Sequence, residues 1–262
     1  MYFIKKVKKE EIEEMRKDYY VNLTAPMDDQ WEEGIIPNGD FFTVIQDDFI
    51  VGYFVLDDEG AIISFYTKKK EEATEIFKAI ISKKKIKKAY VFTCDPLFYK
   101  QCINLKKDML DNSFLYRLKN KVEVDPPFNT IDIVKGEMKD FEEILNHFMD
   151  GTGISEEWAK IFMTTRINAN SIIVFKLDNK IIGTGEIRPS ISNSNYANIG
   201  MVVAKEFRRR GIATYIVNVV TKISIERGYK PICATSIDNI GSQKTIKKNG
   251  YECYHKINII LF

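Results

Sequence analysis

Apolar positions along this chain follow two rhythms: near-alternation in short runs, and recurrence every third or fourth residue in longer ones. The two rhythms trade places in a similar order in both halves. In the first half, Tyr2 to Val7 reads as a strand, Glu10 to Tyr20 as a helix, and the stretch around Asp28 to Glu33 as a second helix. A hairpin follows, Phe41 to Gln46 with Ile50 to Leu56, then a strand from Ala61 to Tyr66 and a helix from Glu71 to Ile81. A strand from Ala89 to Thr93 and a helix from about Leu97 to Lys107 complete this half.

The second half opens with a strand, Ile131 to Val134, and a helix from about Lys139 to Asp150 that sets Phe141, Ile144, Leu145 and Phe148 on one face. Gly151-Thr152-Gly153 breaks that helix, and Ser155 is placed as the N-cap of the next. Ile172 to Leu177 and Ile181 to Ile187 make a hairpin around Asp178-Asn179. After the loop Pro189 to Asn195 comes a strand ending near Ala204, then a long helix on which Ile212, Ile216, Val219, Val220 and Ile223 share a face. Gly228 is positioned to end it, with Pro231 beyond. A strand from Ile232 to Ile237, a short helix from Ser242 to Lys248 and a strand from Ile257 to Phe262 close the chain. Between the halves, Val124-Asp125-Pro126-Pro127-Phe128 stops regular structure, so a boundary is expected there, with domains 1–126 and 127–262.

The chemistry concentrates between the strand ending near Ala204 and its helix, at Arg208-Arg209-Arg210-Gly211-Ile212-Ala213. A strand that turns into a helix start leaves several backbone N–H groups unpaired at the positive end of the helix dipole, a receptor for phosphate or diphosphate. Gly211 and Ala213 keep side chains out of the way, so oxygen can approach the backbone closely. The same strand-to-helix place in the first half reads Lys68-Lys69-Lys70-Glu71-Glu72-Ala73, with no glycine and with two carboxylates that would repel an anion.

Composition narrows this picture. The chain has 262 residues, room for two domains, and its 39 Lys and Arg against 37 Asp and Glu leave a net charge of +2, with no global drive toward nucleic acid or an anionic membrane. No apolar run approaches the ~18 residues of a spanning helix, and the N-terminus lacks the apolar segment of a signal peptide. Cys94, Cys102, Cys233 and Cys253 show no metal-ligand spacing and read as reduced, mostly buried thiols of a cytoplasmic protein. With only His147 and His255 besides, no metal site is expected. Neither nucleotide-binding glycine motif is present.

The Arg-x-x-Gly-x-Ala turn, the preceding Val203-x-x-x-Phe207, and Asn239-x-x-Ser242 leading to Asn249-Gly250-Tyr251 resemble the GCN5-related N-acetyltransferases. That resemblance covers about residues 130 to 262. It implies an α+β fold of the acyl-CoA N-acyltransferase type, a mixed and mostly antiparallel central sheet flanked by helices, and the repeat implies two similar domains. It implies acetyl-CoA as acyl donor, an amine acceptor on a small molecule, peptide or protein, and transfer of the acetyl group between them; a non-catalytic acyl-CoA-binding or sensing module is the alternative. The first domain then resembles a degenerate copy without the diphosphate loop, kept for packing, substrate recognition or dimerisation, so that a homodimer is admissible. By the resemblance, Arg208, Arg209, Arg210, Gly211, Ile212, Ala213 and Thr214 would hold the diphosphate, and Met201, Val202 and Val203 would pair with the pantetheine arm. A backbone N–H near Val202 or Val203 would polarise the thioester. Asn239 and Ser242 would reach the arm, although an N-cap role explains Asn239 equally well.

Amine acetylation also needs a base, and Glu186 is the candidate. It lies near the end of an apolar strand, where partial burial would raise its pKa, although a strand-end salt bridge and a water relay are open alternatives. The family's usual thiolate-protonating tyrosine aligns with Ile246, so no general acid carries over. The loop Pro189 to Asn195 is expected to help line the acceptor pocket.

Overall fold

A computed structural model describes the whole chain, residues 1 to 262. It divides into two compact units: Met1–Leu115 with Ile191–Asn193 and Cys253–Phe262, and Tyr116–Ser190 with Ser194–Glu252. This division differs from the boundary read at Pro126-Pro127. The prolines fall inside the second unit, and the closing strand, read as part of the second half, supplies its residues from Cys253 onward to the first.

In the first unit the helices are α1 (Glu13–Val21), α2 (Ala73–Lys84) and α3 (Pro96–Leu105), with a π-helical segment, Gln30–Ile35, where the second helix was expected. The strands are β1 (Phe3–Val7), β2 (Asp40–Gln46), β3 (Phe49–Leu56), β4 (Ile62–Thr67), β5 (Lys88–Phe92) and β6 (Asp108–Leu118), in the order β1-β2-β3-β4-β5-β12-β6, where β12 is the C-terminal strand Tyr251–Leu261. β12 pairs antiparallel with β5 from Ile257↔Phe92 to Leu261↔Lys88, and so covers what would otherwise be an open edge. No element was expected over β6. Asp108, Asp111, Asn112 and Ser113 break its alternation, and tertiary partners compensate: Asp111 accepts from Lys256 at 2.7 Å and from Asn258 at 2.8 Å, both on β12. The core is aromatic, with Phe65, Phe77 and Phe98 from β4, α2 and α3 in mutual ring contact.

Asp95 is an unusual member of this unit. It caps α3, accepting from the Phe98 N–H at 3.0 Å, yet it is only 2% exposed. Burial pushes its carboxyl up to about 7 from 3.8, against the lowering pull of hydrogen bonds to Phe98, Tyr19 and Leu97. A raised folded-state pKa means that the folded protein holds a proton the unfolded chain has released. The resulting cost is absent below about pH 4, grows as pH rises toward 7, and is constant above it. Asp95→Asn keeps a capping oxygen and carries no charge. It is expected to raise unfolding stability at pH 8 by up to roughly 4 kcal/mol, with the gain vanishing by pH 4, as chemical denaturation at the two pH values would show.

The second unit has strands β7 (Asp132–Lys135), β8 (Ile172–Leu177), β9 (Lys180–Pro189), β10 (Tyr196–Val203) and β11 (Lys230–Ser236), in the order β11-β10-β9-β8-β7. The β8–β9 hairpin turns on Asp178 and Asn179, both at positive φ (49° and 63°), as a two-residue turn of this hand requires. Helices α4 (Phe141–Thr152) and α5 (Glu156–Asn168) share a core with Ile172, Val174 and Ile181. Ser155 stands at the N-cap of α5 as expected, but its hydroxyl makes no capping bond. Helix α6 (Ile212–Glu226) lies directly on β9: a Cβ at Gly183 would come within 2.5 Å of Ile216, and one at Gly185 within 2.4 Å of Val220. Two glycines on one strand face thus let the helix sit close. Gly228, at φ 86°, follows its end, and α7 (Ile240–Lys248) packs beside it.

Candidate active site

Close packing on β9 fixes the head of α6 just past the end of β10. The chain between them makes a short 3-10 turn, Lys205–Phe207, and then the arginine run. Arg209 and Gly211 both adopt positive φ (62° and 84°), and Gly211 is the N-cap residue of α6, with no side-chain cap. A non-glycine residue such as Arg209 takes that conformation at a cost, offset here by the turn it closes. The first amide past the turn to find an acceptor is that of Tyr215, bonded to the Gly211 carbonyl at 3.1 Å. The N–H groups of Gly211, Ile212, Ala213 and Thr214 are therefore the four that a helix start leaves open, and Arg209 and Arg210 precede them.

The three arginines separate by role. Arg208 donates from Nε to the Val203 carbonyl at 3.2 Å and from Nη2 to the Gly151 carbonyl at 2.8 Å, so its guanidinium ties the turn to β10 and α4. Arg210 lies over the Phe207 ring, 5.6 Å from its centroid. Arg209 and Arg210 are exposed, and their charge is available to an anion on the amides.

β10 also offers an open edge. It pairs with β9 along its length, from Ala197↔Pro189 to Val203↔Gly183, but runs parallel to β11 only from Tyr196↔Lys230 to Asn198↔Ile232. Beyond Asn198 the two strands part, so the β11-facing backbone groups of the segment holding Met201, Val202 and Val203 have no strand to pair with. An extended ligand arm can take that place.

Asn239 is the N-cap of α7, its Oδ1 accepting from the Ser242 N–H at 3.0 Å. The capping explanation thus describes its carbonyl, while its amide Nδ2 is not used by that bond. Ile246 is buried at 3% exposure. Tyr251 is no acid in its stead: it is buried, its hydroxyl shares a 2.6 Å bond with Thr221, and burial raises its pKa further.

Glu186 lies on β9 opposite Gly200 of β10, and a Cβ at Gly200 would meet its Oε1 at 2.5 Å. Gly200 is thus the vacancy that accommodates the carboxylate, a role with no visible signal in the sequence. The Glu186 side chain is 18% exposed and pairs with the Arg188 guanidinium at 3.1 Å. It lines a small cleft with Phe148, Met163, Ile172, Thr184, Met201 and Val202, which places the carboxylate beside the open segment of β10. His147 of α4 faces the Val202 carbonyl, and burial lowers its pKa from 6.5.

The corresponding turn of the first unit is built differently. The Lys68 N–H is bonded to the Val51 carbonyl, the Lys69 N–H to Thr67 Oγ1, the Glu72 N–H to the Lys69 carbonyl and the Ala73 N–H to the Lys70 carbonyl. No residue there has positive φ, and the Glu72 carboxylate accepts from the Tyr2 hydroxyl at 2.9 Å.

Two family models match the chain: an acetyltransferase (GNAT) domain over residues 8–119 and the acetyltransferase (GNAT) family over residues 136–251. The chain belongs to the GCN5-related N-acetyltransferases, with two such domains in tandem. Membership supports acyl transfer from an acyl-CoA as its chemistry. Among solved structures, a GNAT-family acetyltransferase from Colwellia psychrerythraea aligns at a TM-score of 0.91 with 23% identity over 99% of both chains. A GCN5-related N-acetyltransferase from Sphaerobacter thermophilus aligns at 0.65 with 11% identity over 88% of this chain and 82% of that one. A tandem GNAT protein from the clavulanic acid biosynthesis pathway aligns at 0.63 with 13% identity over 99% and 97%. At these identities the likeness is one of fold. No curated protein matches the sequence. No helix of this tandem acetyltransferase is long and apolar enough to cross a membrane, and Cys94, Cys102 and Cys233 are buried while Cys253 is exposed.

Proposed function

We propose that the second domain transfers an acetyl group from acetyl-CoA to a primary amine of a small molecule, peptide or protein. The observation that carries this reading is the set of unengaged amides at the head of α6, next to a strand edge that opens beyond Asn198. In this scheme the amides from Arg209 to Thr214, with Arg209 and Arg210, hold the diphosphate, and the arm lies along Met201 to Val203. An N–H of that segment donates to the thioester oxygen as negative charge develops there. The amine nitrogen attacks the thioester carbon, the carbon–sulfur bond breaks, and coenzyme A leaves as thiolate. Glu186 takes the proton that the amine nitrogen loses as it attacks, directly or through a water, and solvent supplies the proton to the thiolate.

The buried Ile246 favours a second reading, in which the domain holds an acyl-CoA without turnover. Titration calorimetry with acetyl-CoA, followed by thiol release against a panel of primary amines, separates the two. Binding with release on at least one amine is the expected result. Binding with no release on any amine supports the holding function, and no binding overturns both.

A further inference from the structure

The connector leading from β6 to β7 is clamped onto the rest of the second unit. The amides of Lys119 and Asn120 both donate to the Gly250 carbonyl, at 2.9 and 3.1 Å. Asn218 of α6 donates from Nδ2 to the Val122 carbonyl at 2.7 Å, and Lys222 pairs with Glu123. Further on, Pro127 lies 3.6 Å from where a Cβ of Gly211 would stand. Val122 and Glu123 thus lie against the body of α6 and Pro127 against its head, so the connector reaches the phosphate turn.

The seat is shaped for it. A Cβ at Gly250 would fall 2.0 Å from the Asn120 carbonyl oxygen, and Gly250 holds φ 80°. Gly250 therefore both ends α7 and lets the connector in. Resting on the coenzyme reading above, we infer that the connector is a wall of the coenzyme site, with Pro127 and Phe128 flanking the diphosphate and the adenosine beyond it. Pro126 and Pro127 have preset φ and no N–H, so they present a stiff apolar surface whose ordering on binding costs little entropy. Phe128 is the aromatic residue of this stretch and is half-buried, and an aromatic ring is a stacking surface for a purine.

The test is the double substitution Pro127→Ala with Phe128→Ala in the full chain, at positions outside any helix or strand. Affinity is measured for coenzyme A and for adenosine 3′,5′-bisphosphate, which lacks the pantetheine arm. A loss of about tenfold for both ligands is expected. Unchanged affinities, or a loss confined to coenzyme A, overturn the inference. Gly211→Asp is run beside it: if that variant binds coenzyme A like the parent, it is the coenzyme site that is misplaced, a failure distinct from that of the connector. Circular dichroism and the melting transition confirm that the variants compared are folded.

Discussion

Gly211→Asp is expected to weaken acetyl-CoA binding by about a hundredfold or more, read by titration calorimetry. Two effects add. The new carboxylate stands at the N-cap, where it accepts hydrogen bonds from the very amides offered to the diphosphate and repels the incoming phosphates. The backbone at φ 84° also disfavours any side chain, which strains the turn that aims those amides. Gly211→Ala separates the contributions, since it adds the strain and a methyl group without the charge, and should lose much less affinity. The position is exposed and outside the core, so both variants should fold. An aspartate variant with parental affinity would remove the turn from the site.

Glu186→Gln is expected to lower kcat by about a hundredfold or more, while leaving the affinity for acetyl-CoA near that of the parent. The amide cannot take a proton from the attacking amine nitrogen, yet it keeps the shape and one oxygen for Arg188. This conservative change matters because Arg188 is 11% exposed, and removing the Glu186 side chain outright would take a carboxylate away from a largely buried cation. The fall in rate should hold across the pH range in which the parent is active. Identical profiles for variant and parent would take Glu186 out of proton transfer and leave a water relay. Substituting Gly200 by alanine gives a geometric cross-check, because its methyl group would collide with the Glu186 carboxylate without altering the acid itself.

Local pattern was sufficient for most of the architecture. The hairpin at Asp178-Asn179, the α6 face through Ile212, Ile216 and Val220, and the turn at Gly211 all depend on residues close together in the chain, so their signals survive in the sequence. The element missed, β6, is one whose polar residues are satisfied by β12, more than a hundred residues away. The same distance hid the assignment of Cys253–Phe262 to the first unit: a strand's own residues state that it will pair, but not with which edge.

For the site, sequence alone determined the anion turn, because a helix start, a glycine and a run of arginines are local properties. It also exposed the contrast with Lys68 to Ala73, since absent glycines and added carboxylates need no coordinates to be read. Only the tertiary structure decided how those parts are used. It committed Arg208 to the carbonyls of Val203 and Gly151, set Glu186 over Gly200 beside the open segment of β10, and brought Pro127 next to Gly211. Each of these joins groups that are remote or unremarkable in sequence, and what joins them is close packing: glycines at 183, 185, 200 and 250 admit a helix, a carboxylate or a strand of backbone where a side chain would stand.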